Sequence, residues 1–324
     1  MTTLEGLVVK QQSGFFTVKT AQGQFVCQVR GRLKEEASRR VRKEEDEPGD
    51  LCTIGDRVTI TPMPDGAGVI ERVHPRSRVL SRADHAGGRA TDQQGREQVL
   101  IANADQAVFI FAAAEPAPNP RAIDRLIVVA EKGRIPYIRI VCNKIDLLPS
   151  PDEARAIFDL YERLGYPVLY TSARTGQGVD ALRTLLTGHI SILAGPSGVG
   201  KTSLLNAIQP GLGLRVSEVS RATTKGRHTT VHRELFRLDS GGYVADTPGL
   251  RAIGIWDVEP GELEAYFVDI APYVADCKFP DCTHTHEPGC AVRAAVRRGE
   301  IAVQRYHSFL RLRREIEETY ENWV

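Results

Sequence analysis

Gly195-Pro196-Ser197-Gly198-Val199-Gly200-Lys201-Thr202 is the stretch on which the fold turns. It follows an apolar run, Ile190 to Ala194, that reads as a buried strand, and it opens a helical run from Thr202 to Ile208. A glycine-rich turn between strand and helix lets backbone N–H groups curl around phosphate oxygens, with the helix N-terminus adding its dipole. Lys201 is expected to reach the β and γ phosphates and act in catalysis, the Thr202 hydroxyl to ligate Mg²⁺, and Ser203 to complete the phosphate-binding turn.

Outward from this loop, Asp246-Thr247-Pro248-Gly249 ends a strand pair expected at Glu234 to Leu238 and Gly242 to Ala245. There Asp246 can hold a Mg²⁺-bound water, and Gly249 can offer its N–H to a γ-phosphate. In the other direction, Asn143-Lys144-Ile145-Asp146 follows a strand from Tyr137 to Cys142. An acceptor-only carboxylate at Asp146 matches the two donors of guanine, N1–H and the exocyclic amine, for which adenine has no counterpart. Ser172 and Ala173, after the strand Val168 to Tyr170, supply a second loop whose backbone can meet guanine O6. Together these segments predict a GTP/GDP site. Their order is unusual, because the base-selecting loops precede the phosphate loop. The domain is therefore expected to be circularly permuted, with the helix Val179 to Leu186 joining the two halves.

Strands alternating with helices from Ala107 onward predict an α/β fold with a parallel sheet covered on both faces. Ahead of it, five short strands within Leu7 to Val73, broken at glycines, suit a small OB-like β-barrel. Residues 1–75 are assigned to that barrel, 76–98 to a polar linker, 99–262 to the permuted GTPase domain and 263–324 to a mostly helical zinc-binding domain. A charged insert runs from Arg32 to Glu47 between the third and fourth strands and is expected to be a solvated loop.

With 324 residues, 42 Lys and Arg against 41 Asp and Glu, and 42% apolar residues, the chain can bury ordinary cores. Its net charge of +1 excludes a globally basic coating protein, so any acidic partner must be met by local patches. The longest apolar run, Ala107 to Ala114, is far short of the ~20 residues a bilayer requires. A cytoplasmic monomer with no membrane partner is expected.

Three of the six cysteines fall between Cys277 and Cys290. Cys277, Cys282 and Cys290 with one histidine suit a closed tetrahedral structural zinc site. His284 and His286 compete for the fourth position. Beyond this knot, arginines at 293, 297, 298, 305, 311, 313 and 314 outnumber acidic residues and suggest an RNA partner.

In combination, the barrel, the permuted nucleotide motifs and the cysteine–histidine knot resemble the RsgA/YjeQ family of small-subunit-dependent GTPases. The resemblance covers nearly the whole chain and implies zinc ligation by Cys277, Cys282, His284 and Cys290. It further implies GTP hydrolysis stimulated by the small (30S) ribosomal subunit, with contacts to 16S rRNA during late maturation of that particle. Gly226-Arg227-His228-Thr229-Thr230 resembles the family's switch, which points to Thr229 or Thr230 as the cap on Mg²⁺ and γ-phosphate. His228 is then the candidate for positioning water, since Leu250 stands where many GTPases carry glutamine. Two other functions compete with this one. The chain would be an RNA-binding module holding GTP without turnover, or a GTPase for another RNA or membrane partner.

Overall fold

All seven residues of strand β8 (Gln106–Ala112) are buried, as a strand covered on both faces requires. Its side chains alternate between two cores. Ala107, Phe109 and Phe111 face one shared with helices α1 (Pro120–Lys132) and α2 (Pro151–Arg163); Val108, Ile110 and Ala112 face another shared with α3 (Val179–Leu186) and α4 (Lys201–Ile208). Emptying such a site, as Phe111→Ala would, typically costs about 3–5 kcal/mol. Here and below the protein is a computed structural model that describes residues 2–33, 35, 51–84, 96–213, 233–246 and 258–321.

Around β8 the sheet runs β10 (Val168–Tyr170), β9 (Tyr137–Asn143), β8, β11 (Ile190–Ala194), β13 (Tyr243–Asp246), β12 (Arg233–Arg237). Its first five members are parallel, and β12 is antiparallel to β13. The nucleotide motifs therefore all emerge at the carboxyl ends of parallel strands, where ligands bind in open α/β sheets.

The N-terminal strands are β1 (Leu4–Gln12), β2 (Phe15–Thr20), β3 (Gly23–Val29), β4 (Arg57–Pro62) and β5 (Ala67–Val73). They close in the order β1-β2-β3-β5-β4-β1, with β3 and β5 parallel, around Val8, Phe16, Val18, Cys27, Val58, Ile60 and Ile70. This is a five-stranded barrel, as the spacing of the glycine breaks predicts. Strand β1 changes partner along its length: Leu4 to Leu7 pair with β4, while Lys10 and Gln11 pair with Glu234 and Arg233 of β12. Its register against β2 shifts between Val8 and Lys10, where the exchange occurs. Barrel and GTPase sheet are thus hydrogen-bonded neighbours.

The stretch expected as a linker carries two further strands. β6 (Val79–Asp84) and β7 (Arg96–Ala102) form an antiparallel pair. Buried Leu80, Val99, Leu100 and Ile101 hold it in place. The charged insert expected as a loop lies outside the described residues from 36 to 50. Against the barrel, buried Asp56 accepts from Arg76 Nε and Nη2 (both 2.8 Å) and from Thr53 N (2.8 Å). Arg233 Nη1 donates to Val99 O (2.5 Å) and Thr53 Oγ1 (3.2 Å), which joins β12, the barrel and β7.

The C-terminal region contains α5 (Ala271–Val274), α6 (Ala291–Arg298) and α7 (Val303–Glu321). Its core of Leu263, Phe267, Ile270, Val292, Ala295, Phe309, Leu312 and Ile316 also includes Val128 of α1. Helix α1 is therefore shared between domains. Arg305 is not exposed with the arginines that suggest an RNA partner: it is 1% exposed and enclosed by Asp124 and Asp269. Among the described residues, no helix is long and apolar enough to cross a membrane.

Candidate functional site

Two conformational demands shape the phosphate loop. Gly195 and Gly200 have φ of 150° and 92°, and a Cβ on either would strike the Ile110 carbonyl oxygen of β8 or the Asn143 amide. Only glycine fits this approach. Pro196, Ser197, Gly198 and Val199 carry the turn, and Lys201 opens α4 with Gly200 as its N-cap. Lys201 Nζ donates to Gly195 O and Pro196 O, both at 2.6 Å, so the ammonium is held over the loop mouth. Leu204 N donates the first intrahelical bond, to Gly200 O (2.9 Å), which places Thr202 and Ser203 in the first turn, at the helix end that suits anions.

On the next strand Asp246 stands in register with Leu193, one residue before the loop-bearing end of β11. Thr202, in the helix after β11, and Asp246, at the end of β13, thus lie on adjoining elements at one end of the sheet. His228, Thr229, Thr230 and Gly249 lie outside the described residues.

The base side is built around Asn143, which is buried at the end of β9. Its Nδ2 donates to Val199 O (2.8 Å), and its Oδ1 accepts from Thr171 Oγ1 (3.2 Å) and Ala173 N (3.2 Å). One amide thereby ties the phosphate loop to both base loops. Lys144 adopts a left-handed backbone (φ 62°), and its Nζ donates to Glu115 O. Ile145 is buried in the core, with its N–H on Thr171 O (3.3 Å).

Asp146 is held from two sides: Ser172 Oγ donates to Oδ1 (2.6 Å) and Arg174 Nε to Oδ2 (2.8 Å). The Ser172 hydroxyl, with a smaller contribution from the Arg174 charge, keeps this carboxyl below the usual aspartate range. It stays ionised and acceptor-only, as guanine recognition requires. Arg174 was missed from sequence because only its position after Thr171-Ser172-Ala173 hints at it.

In the C-terminal region the ligand atoms of Cys277, Cys282, His284 and Cys290 lie within 4.8 Å of one another. His284 Nδ1 is 3.6 Å from Cys277 Sγ and 3.4 Å from Cys290 Sγ, and those two sulfurs are 4.0 Å apart. Metal–nitrogen and metal–sulfur bonds of ~2.0 and ~2.3 Å at the tetrahedral angle give separations of about 3.5 and 3.8 Å. The cluster fits zinc. His284 is buried among the sulfurs and His286 is exposed, so the ring that competes for the fourth position in sequence stands outside the cluster. His284 Nε2 meets Glu264 Oε2 at 2.8 Å, a carboxylate that fixes the ring with Nδ1 facing the metal position. Glu287 accepts from Thr283 N (2.7 Å), Thr285 N (3.0 Å) and His286 N (3.1 Å), which closes the ligand loop. No spacing rule signals Glu264.

A phosphate loop on the central strand, with base loops that precede it in the chain, defines a circularly permuted GTPase. The RsgA GTPase family model matches residues 73–256, and the RsgA N-terminal domain model matches residues 5–70. The chain belongs to the RsgA GTPase family and is a GTP-hydrolysing enzyme. It is 44% identical to the small ribosomal subunit biogenesis GTPase RsgA of Gemmatimonas aurantiaca, over 97% of this chain and 98% of that one. It is 40% identical to the protein of the same description from Moorella thermoacetica, over 97% of each chain. Among solved structures, YjeQ from Thermotoga maritima superposes with a TM-score of 0.73 at 36% identity, covering 97% of this chain and 99% of that one. YloQ, described as a circularly permuted GTPase, gives 0.71 at 28% identity, covering 98% and 96%.

Proposed function

We propose that this GTPase acts in late assembly of the small (30S) ribosomal subunit, with turnover stimulated by that particle and contacts to its 16S rRNA. The observation that carries the guanine assignment is Asp146, ionised and held by Ser172 and Arg174, on loops that Asn143 ties to the phosphate loop. Support for the ribosomal assignment comes from the relatives, whose names give small-subunit biogenesis as their role. The proposed boundaries are 1–75 for the barrel, 76–98 for a linker, 99–262 for the GTPase domain and 263–324 for the zinc-binding domain. A cytoplasmic monomer suits this role.

In this scheme Asp146 takes the guanine N1–H and exocyclic amine, while the Lys144 stem lies against the base. Lys201 leaves the Gly195 and Pro196 carbonyls for the β and γ phosphates and offsets charge that builds during hydrolysis. Thr202 and Asp246 would hold Mg²⁺, whose charge neutralises the phosphate oxygens. Thr229 or Thr230 caps that site, Gly249 N–H meets the γ-phosphate, and His228 positions the attacking water. Cys277, Cys282, His284 and Cys290 would hold zinc with all four tetrahedral positions filled by protein, so that it would serve folding.

Phosphate release from GTP, measured with the protein alone, with small subunits and with large subunits, tests the assignment. Stimulation confined to small subunits is expected. GTP binding without stimulated turnover would leave a nucleotide-stabilised RNA-binding module instead.

A further inference from the structure

A series of contacts runs from the cysteine–histidine cluster to helices α1 and α2 beside the guanine loops. His284 O accepts from Tyr306 OH of α7 (2.6 Å). The His284 ring lies 6.0 Å from that of Phe309, which meets Phe267 edge-on at 5.4 Å. Over Phe267, at 4.4 Å, sits the guanidinium of Arg305, the residue before Tyr306. Arg305 Nη2 donates to Asp269 Oδ1 (2.9 Å), its Nε to Asp269 Oδ2 (3.2 Å), and its Nη1 crosses to Asp124 Oδ1 of α1 (2.5 Å). On the far side, Tyr161 OH of α2 donates to the same Asp124 oxygen (3.0 Å) and lies 3.2 Å from Pro120 O at the start of α1.

Both helices gripped in this way lead back to the base site. Helix α1 follows the segment whose Glu115 O accepts from Lys144, and α2 starts just past Asp146. Burial works against the Arg305 charge, yet Asp124 and Asp269 outweigh it and hold the guanidinium protonated above its ordinary range. Apolar residues of similar volume commonly stabilise such a contact as well or better, so a buried triad is weakly explained by stability alone. Its directional bonds instead specify one placement of α7 against α1 and α2.

We propose that Arg305 is a positioning residue that couples metal binding in the C-terminal domain to guanine recognition. With the metal in place, the cluster holds α7, and α7 through Arg305 holds α1 and α2 where Lys144 and Asp146 align with the base. The inference rests on assigning the site to guanine nucleotides. Linkage makes the coupling reciprocal: a metal that tightens nucleotide binding is itself retained more tightly when nucleotide is bound.

The test is equilibrium titration with GDP and with inosine diphosphate, which lacks the exocyclic amine that Asp146 reads. Full-length wild type, Tyr161→Phe and Arg305→Met are compared zinc-loaded and after chelation. In wild type, chelation should weaken GDP binding about five-fold or more and narrow the GDP-to-inosine-diphosphate ratio, and GDP should slow zinc loss. A general loosening of the phosphate loop would weaken both nucleotides equally and leave that ratio alone. Zinc-loaded Tyr161→Phe and Arg305→Met should already show the narrowed ratio, with little further change on chelation. An unchanged wild-type ratio after chelation overturns the proposal, as do variants that respond like wild type. Should Arg305→Met fail to fold, wild type and Tyr161→Phe decide the matter. Zinc-loaded wild type that binds no GDP would instead remove the guanine assignment itself, so the two failures are distinguishable.

Discussion

In the proposed function, Asp146 selects its base by having no proton to donate. Replacing it with asparagine keeps the size, supplies an N–H₂ and removes the charge. GDP should then lose two charge-assisted hydrogen bonds, costing about 3 kcal/mol or roughly 100-fold in affinity. Xanthosine diphosphate, which carries a carbonyl where guanine has its amine, should gain affinity on the same variant. Competition titrations of the two nucleotides read out the swap, and an Asp146→Asn protein that still prefers GDP would refute the base assignment. At this scale the sequence was readable wherever a role is confined to a short motif. Asn143, Lys144 and Asp146 fall within four residues, and their backbone follows one strand end. Arg174 and Glu264 were not readable, because each meets its partner only after separate elements have packed, Glu264 reaching His284 across 20 residues. The Arg305 side chain misled for the same reason: in the sequence it is one arginine among several, and in the fold it is enclosed by carboxylates from α1 and from the turn before α5.

Elements were readable to the extent that one periodicity ran through them. The buried run of β8 and the glycine-broken strands of the barrel were recognisable from their residues. The β6–β7 pair was not, since its polar ends sit in an arginine- and glycine-rich stretch and its apolar half, Val99 to Ile101, reads equally well as the approach to β8. In the C-terminal region the ligand loop carries few apolar side chains, and Glu287 closes it through polar contacts to Thr283, Thr285 and His286. Glu264→Ala removes the carboxylate that orients His284 and should weaken zinc affinity about 10- to 100-fold without touching a ligand. Competition with a chromophoric chelator measures this; unchanged affinity would mean that packing against Phe309 and Tyr306 alone orients the ring.

For the molecule as a whole, the barrel is a structural neighbour of the GTPase sheet. Strand β1 covers the outer edge of β12 through the Lys10 and Gln11 pairing and the Lys10–Glu234 ion pair (3.3 Å). A fragment of residues 76–324 would present β12 with an uncovered row of backbone donors and acceptors, which is a template for strand addition. Light scattering should show that fragment associating at concentrations where the full chain does not. A dispersed, monomeric fragment would show that the edge is protected in another way.

The same pairing has a consequence for how the chain is made. Gln11 and Arg233, which face each other across it, are 222 residues apart. At about 5–20 residues per second, roughly 10–45 s of synthesis separate the two. The barrel can close through β4 early, but the second half of β1 waits with its edge bare. Meanwhile the guanine half of the site is made before the phosphate half, the reverse of the usual order in GTPases. Strand β1, made long before β12, is among the last to find all its neighbours, and the nascent chain must stay free of other partners throughout that interval.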